Sequence, residues 1–130
     1  MNGLVIAEAA SLLDIEQVKD IRRSVLCGEL NWPRETVEDP ADSGAILFLA
    51  SLGPKPVACA RLIVREGETH IECVAVLARF RRMGIGRALM AALEAKAGAS
   101  THVLVAGPNQ AFFEACAYLE ISGSHLLKAI

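Results

Sequence analysis

The segment HIECVAVLARFRRMGIGRALMAAL, His70 to Leu93, carries three signals in succession. Ile71 to Val76 is short, apolar and rich in β-branched residues, and reads as a buried strand. Arg79 to Gly86 is a basic loop punctuated by glycine. A helix opens at Ile85, and Ile85, Leu89 and Ala92 fall at helical spacing along it. The first amides of a helix have no intrahelical acceptor, and with the helix dipole they form an anion site. Glycines at 84 and 86 would let a ligand lie against the backbone. Arg82 and Arg87 add positive charge there. Several converging donors suit a diphosphate better than a lone carboxylate.

Outward from this segment the chain alternates apolar runs with breakers. Leu4 to Ala7 reads as a first strand. Asp14 is expected to cap a helix, with Gln17 three residues on, and Val18, Ile21 and Val25 on one face. Gly28 is the expected stop, and Asn31-Trp32-Pro33 breaks the pattern. Arg34 to Gly44 is a polar, acidic loop or single helical turn. Ala45 to Ala50, Val57 to Val64 and His70 to Val76 are strands joined by tight turns, which implies an antiparallel meander. Gly98 ends the helix after the basic loop. Val103 to Ala106 should run parallel to the His70 strand, because a helix separates them. Asn109 to Ala117 reads as helical with Phe112 and Phe113 buried, and Leu119 to Ile121 and Leu126 to Ile130 as closing strands. The expected fold class is α/β: a central mixed sheet flanked by helices.

Composition narrows the function classes. The 130 residues suit one domain, and 53% hydrophobic content argues against disorder. A net charge of −2 gives no global reason to expect nucleic acid as a partner, so the arginine cluster points to a small anion. No run approaches a membrane span, so no membrane partner is expected. Cys27, Cys59, Cys73 and Cys116 lack zinc spacing, and no metal is expected. Early charges at Asp14, Glu16, Lys19 and Asp20 interrupt any apolar leader. Reduced thiols in a cytoplasmic protein are the expectation.

The pattern R-x-x-G-x-G, here Arg81, Gly84 and Gly86, after a Val-Ala-Val strand and before an Ala/Leu/Met-rich helix, resembles the acetyl-CoA loop of the GNAT superfamily of N-acetyltransferases. The order of elements along nearly the whole chain agrees. Within the superfamily the sequence looks most like the small bacterial ElaA-type members. The resemblance implies acetyl-CoA as co-substrate, with the backbone of Arg82, Met83, Gly84, Ile85, Gly86 and Arg87 on the diphosphate. Val74, Ala75 and Val76 would pair with the pantetheine arm where two parallel strands splay apart, and Asn109 would touch the arm. It implies direct attack by the amine of a small molecule or peptide, with a homodimer as one possible assembly.

Strand alternation puts His70, Glu72, Val74 and Val76 on one face, and the resemblance implies a glutamate or histidine base on this strand, so His70 and Glu72 are the candidate bases. The family pattern A-x-x-F-Y-E-x-x-G-F is not kept. Its tyrosine falls on Phe113 if Phe112-Phe113-Glu114 is aligned with F-Y-E, or on Glu114 if the later Gly123 sets the alignment; neither supplies it, which leaves Tyr118 as the only tyrosine and a displaced candidate acid. That departure motivates a second reading, a degenerate member that binds acyl-CoA without efficient turnover. A third is an unrelated domain using the loop for a nucleotide. The acidic stretch Glu35 to Asp42 could attract a cationic acceptor.

Overall fold

The computed structural model describes residues 3–98, 100–104, 110–122 and 125–129. Its strands are β1 (Leu4–Glu8), β2 (Ala45–Leu52), β3 (Lys55–Arg65), β4 (Glu68–Val76), β5 (Ser100–Leu104), β6 (Leu119–Ser122) and β7 (His125–Ala129). They form one sheet in the order β1-β2-β3-β4-β5-β7-β6. β2 to β4 form the expected antiparallel meander, β1 adds antiparallel to β2, and β4 and β5 are parallel. The helices are α1 (Leu12–Arg22), α2 (Ile85–Ala97) and α3 (Gln110–Ala115). Among the described residues no helix is long and apolar enough to cross a membrane.

Alternation along the strands splits the core into two layers. Leu47, Leu49, Cys59, Cys73 and Ala75 pack with Val18, Ile21, Val25 and Leu26 on the α1 face. Phe48, Ala50, Ala58, Leu62 and Ile71 pack with Ile85, Leu89, Met90, Leu93 and Phe113 on the α2 face. α2 therefore buries a wider stripe than Ile85, Leu89 and Ala92 alone, and Ala92 sits at its margin.

Two local expectations are corrected. Asp14 is not the N-cap of α1. Ser11 is, accepting from the Asp14 amide, while Asp14 reaches back as the third-residue partner of a capping box. Gly28 does not stop the helix either. α1 passes into a π-helical turn, Arg23–Glu29, and the chain reverses only at Asn31, with φ 58°.

Candidate functional site

β4 leads into the basic loop, and its geometry departs from simple alternation. Cys73 has φ 55°, and the β3–β4 register slips between Cys59 and Arg61. This is a β-bulge. Residues 72 and 73 both turn to the α1 side: Glu72 meets Arg61, and Cys73 packs with Ala75 in the α1 layer. Val74 and Val76 pack against the α2 layer. The expectation that Glu72 shares a face with Val74 and Val76 is therefore overturned by the bulge. Pairing of β4 with β5 runs from Thr69↔Thr101 to Ile71↔Val103 and goes no further among the described residues. The Leu77 amide donates to the Val57 carbonyl, so by ladder alternation Val74 and Val76 turn their backbone groups away from β3.

The loop then presents the start of α2. Gly84 is the N-cap residue, with φ 83°, and no side chain caps the helix. The first intrahelical bond runs from the Ala88 amide to the Gly84 carbonyl, at 3.0 Å. The amides of Ile85, Gly86 and Arg87 are thus left for an external acceptor. Arg82 and Arg87 are exposed and pair with no described residue, while Met83 is 45% exposed. Ile85 is buried, so its side chain anchors the helix while its amide stays at the end.

The two glycines have different reasons. A Cβ on Gly84 would meet nothing within 4 Å, so the left-handed backbone is what requires glycine there. A Cβ on Gly86 would come within 3.1 Å of the Phe112 ring, so that glycine serves close packing of α2 on α3. The reading of Gly86 as a gap kept for a ligand is corrected accordingly. Arg81 is also already engaged. Its Nε donates to the Val76 carbonyl at 2.9 Å and its Nη2 to Glu29 Oε2 at 2.6 Å. Asn109 and Ala106 lie outside the described residues.

The candidate proton-transfer groups are all held elsewhere. Glu72 is buried, and its two oxygens accept from Arg61 Nη2, at 2.7 Å, and from Arg65 Nη1. Burial pushes its carboxyl up, but the hydrogen bonds from Arg65 and Arg61 outweigh this and hold it below its ordinary value. A carboxylate so held is a poor proton acceptor, and the base role expected for it gives way to a structural one. His70 sits where β4 is still paired with β5, opposite His102, and its Nε2 is 3.8 Å from Glu68 Oε1. It therefore lies in the part of β4 that is paired with β5. Tyr118 is buried and donates to Glu94 Oε2 at 2.7 Å. Burial raises its phenol well above its ordinary range, and the bond to Glu94 adds to this. Lys128 also donates to both Glu94 oxygens. The hydroxyl is not at the surface, and the displaced-acid role has no geometric support.

Two carboxylates of the acidic stretch, Asp39 and Asp42, are held by buried arginines, and Glu38 pairs with Lys19 at the surface. Asp42 accepts from Arg22 at 2.6 and 3.1 Å and from Arg61 at 3.1 Å. Asp39 accepts from Arg61, and Glu38 from Lys19. These pairs border a cavity of about 290 Å³ lined by Ile15, Lys19, Glu38, Asp39, Asp42 and Leu47. A second cavity, of about 270 Å³, lies along α2 from Arg87 to Glu94 and reaches Cys116 and Lys128. Among the described residues no cluster of His, Cys, Asp or Glu could hold a metal ion.

Sequence reasoning missed the bulge at Cys73, which has no local signal, and the tie from Glu29 to Arg81, which joins residues 52 apart. The Arg61–Glu72 pair had one. An arginine inside an apolar strand needs a buried carboxylate partner, and Glu72 lies on the neighbouring strand.

A mixed sheet whose β4 leads through a basic loop into a glycine-capped helix N-terminus is the frame of this site. The acetyltransferase (GNAT) family model matches residues 15–118, and the chain belongs to that family. No curated protein sequence matches it. Among solved structures, a protein of Lactobacillus plantarum assigned to the N-acetyltransferases superposes with TM-score 0.85 at 19% identity, covering 98% of this chain and 99% of that one. Escherichia coli ElaA superposes at 0.78 with 18% identity, covering 97% and 98%. An aminoglycoside 6′-N-acetyltransferase complexed with coenzyme A gives 0.78 with 15% identity, covering 96% of each chain. These likenesses establish the fold. The reading of an unrelated nucleotide-binding domain is set aside by the family match.

Proposed function

We propose that the chain is an acetyl-CoA-dependent N-acetyltransferase that moves an acetyl group to a primary amine of a small molecule or peptide by direct attack. The observation that carries this is the N-terminus of α2. Three uncapped amides, two arginines that pair with no described residue and a side-chain-free N-cap lie just beyond the end of β4. That set fits a diphosphate. The amides of residues 85 to 87, with Arg82 and Arg87, would hold it. The backbone of Val74 and Val76, turned away from β3, would pair with the amide-bearing arm, as an added strand pairs with a sheet edge. The likeness to a structure complexed with coenzyme A supports the same ligand.

Acetyl-CoA supplies an activated thioester. The amine nitrogen bonds to the acyl carbon as the carbon–sulfur bond breaks, the nitrogen gives up one proton, and the thiolate gains one. Because Glu72 and Tyr118 are both engaged, we assign proton removal to solvent. Turnover should then rise with pH through the acceptor's own pKa. The test is release of CoA thiol from acetyl-CoA across a panel of amines. Amine-dependent release supports the assignment. CoA binding without release from any amine would favour the acyl-CoA binder that does not turn over.

A further inference from the structure

We infer that Glu29 is a positioning residue for the diphosphate loop, an assignment that rests on the acetyl-CoA reading above. The loop is a strained piece of backbone. Arg82 has φ 62° and Gly84 φ 83°, and the left-handed region is strained for a residue that carries a Cβ. Such conformations persist only where the surroundings hold them. Among the described residues, the side-chain hydrogen bonds holding residues 81 to 84 are the two made by Arg81. One ties the loop to the end of β4 through the Val76 carbonyl. The other ties it to Glu29.

The π-helical turn is what brings Glu29 there. A π-turn spends one more residue per turn than an α-helix, so it rotates the downstream chain relative to a regular continuation of α1. The Leu30 amide closes on the Val25 carbonyl, and the Trp32 amide on Leu26. Val25 and Leu26 are buried against Cys73, Ala75 and Leu77 at the end of β4. The turn is therefore fixed to β4 by its apolar side and to the loop by Glu29. One guanidinium joins the π-turn, the strand that would pair with the arm, and the loop that would hold the diphosphate.

This role predicts a sign that simple electrostatics does not. Glu29 is a negative charge beside an anion site. If it acted only through space, removing it would strengthen CoA binding. If it positions the loop, removing it releases Arg81 and weakens binding despite the gain in positive charge.

The test is calorimetric titration of CoA into wild type, Glu29→Gln and Glu29→Ala, with melting curves to confirm that each variant is folded. Steady-state kinetics with an amine found by the thiol-release screen complete it. We expect Glu29→Ala to bind CoA about fivefold more weakly or worse, the low end of ordinary coupling between two sites. Glu29→Gln, which keeps an acceptor oxygen, should fall between. KM for acetyl-CoA should rise while kcat holds. Equal or tighter binding by Glu29→Ala, with wild type binding normally, overturns this inference and leaves the acetyl-CoA reading intact. Failure of wild type to bind CoA overturns both.

Discussion

Replacing Asp42 with asparagine should be among the most damaging single changes to the stability of this protein. Arg22 is fully buried, and Asp42 supplies its two close acceptors, at 2.6 and 3.1 Å. Its other acceptors, the carbonyls of Thr36 and Val37, sit at 3.4 and 3.5 Å, the outer limit of a useful bond. Asp42→Asn removes the countercharge and turns a donor amide toward a guanidinium. Breaking a buried pair by neutralising one partner costs about 3–5 kcal/mol. Against a total stability of about 5–15 kcal/mol, that is a large share.

Asp39→Asn should cost much less, about 1 kcal/mol. Asp39 is one-third exposed, and Arg61 keeps Asp42 and Glu72. Urea unfolding followed by circular dichroism reads both as shifts in midpoint at constant slope. The double change Arg22→Met/Asp42→Leu should recover much of the loss, because apolar replacement of a buried pair is often neutral or better. A cost below about 1 kcal/mol for Asp42→Asn, or one no larger than that for Asp39→Asn, would refute the reasoning.

The same geometry sets three further outcomes. Glu72 is held below its ordinary carboxyl value, and so is Asp39, where the Ala41 amide and then Arg61 favour the charged form over the opposing effect of burial. Their stabilisation is complete above the ordinary carboxylate range and is lost as pH falls through it to the lower folded values. Urea midpoints should be level from about pH 7 to 5 and fall below that, with a shallower fall in Glu72→Gln, and a rise on acidification would contradict the sign. Gly86→Ala should destabilise by about 1–3 kcal/mol through contact with Phe112, and Phe112→Leu should relieve most of it. If Phe112→Leu gives no relief in melting experiments, the packing account of Gly86 fails. Burial pushes the Cys59 thiol up to about 12 and raises Cys73 as well, while Cys27 is only half-buried. A disulfide reagent at pH 8 should therefore label Cys27 first, and a fast phase surviving in Cys27→Ser would contradict that order.

The strand, basic loop and helix of residues 70 to 97 were legible because their signals are local. Apolar runs, Gly84 just before the helix and Gly98 just after it all act within a few residues. The β2–β4 meander and the parallel β4–β5 pair followed from short turns and one helical crossover, whereas the placing of β7 between β5 and β6 carries no local signal. The start of α1 was misplaced because Ser11 and Asp14 are both good capping residues, and only their reciprocal bonding separates the roles. The direction of Glu72 could not be read. Alternation is a local rule, and the bulge at Cys73 that breaks it arises from pairing with β3. The neutralisation of Asp39 and Asp42 was hidden for the same reason, since their arginine partners lie 19 to 22 residues away in the chain.

The central claim is that the N-terminus of α2 holds the diphosphate of CoA. It is tested most directly by calorimetric titration of CoA into wild type and into Arg82→Glu/Arg87→Glu. Both residues are exposed and pair with no described residue, so the variant should fold normally. The account predicts saturable binding by wild type that weakens with added salt, and loss of binding in the variant. Undiminished binding in the variant, or none in wild type, would contradict it.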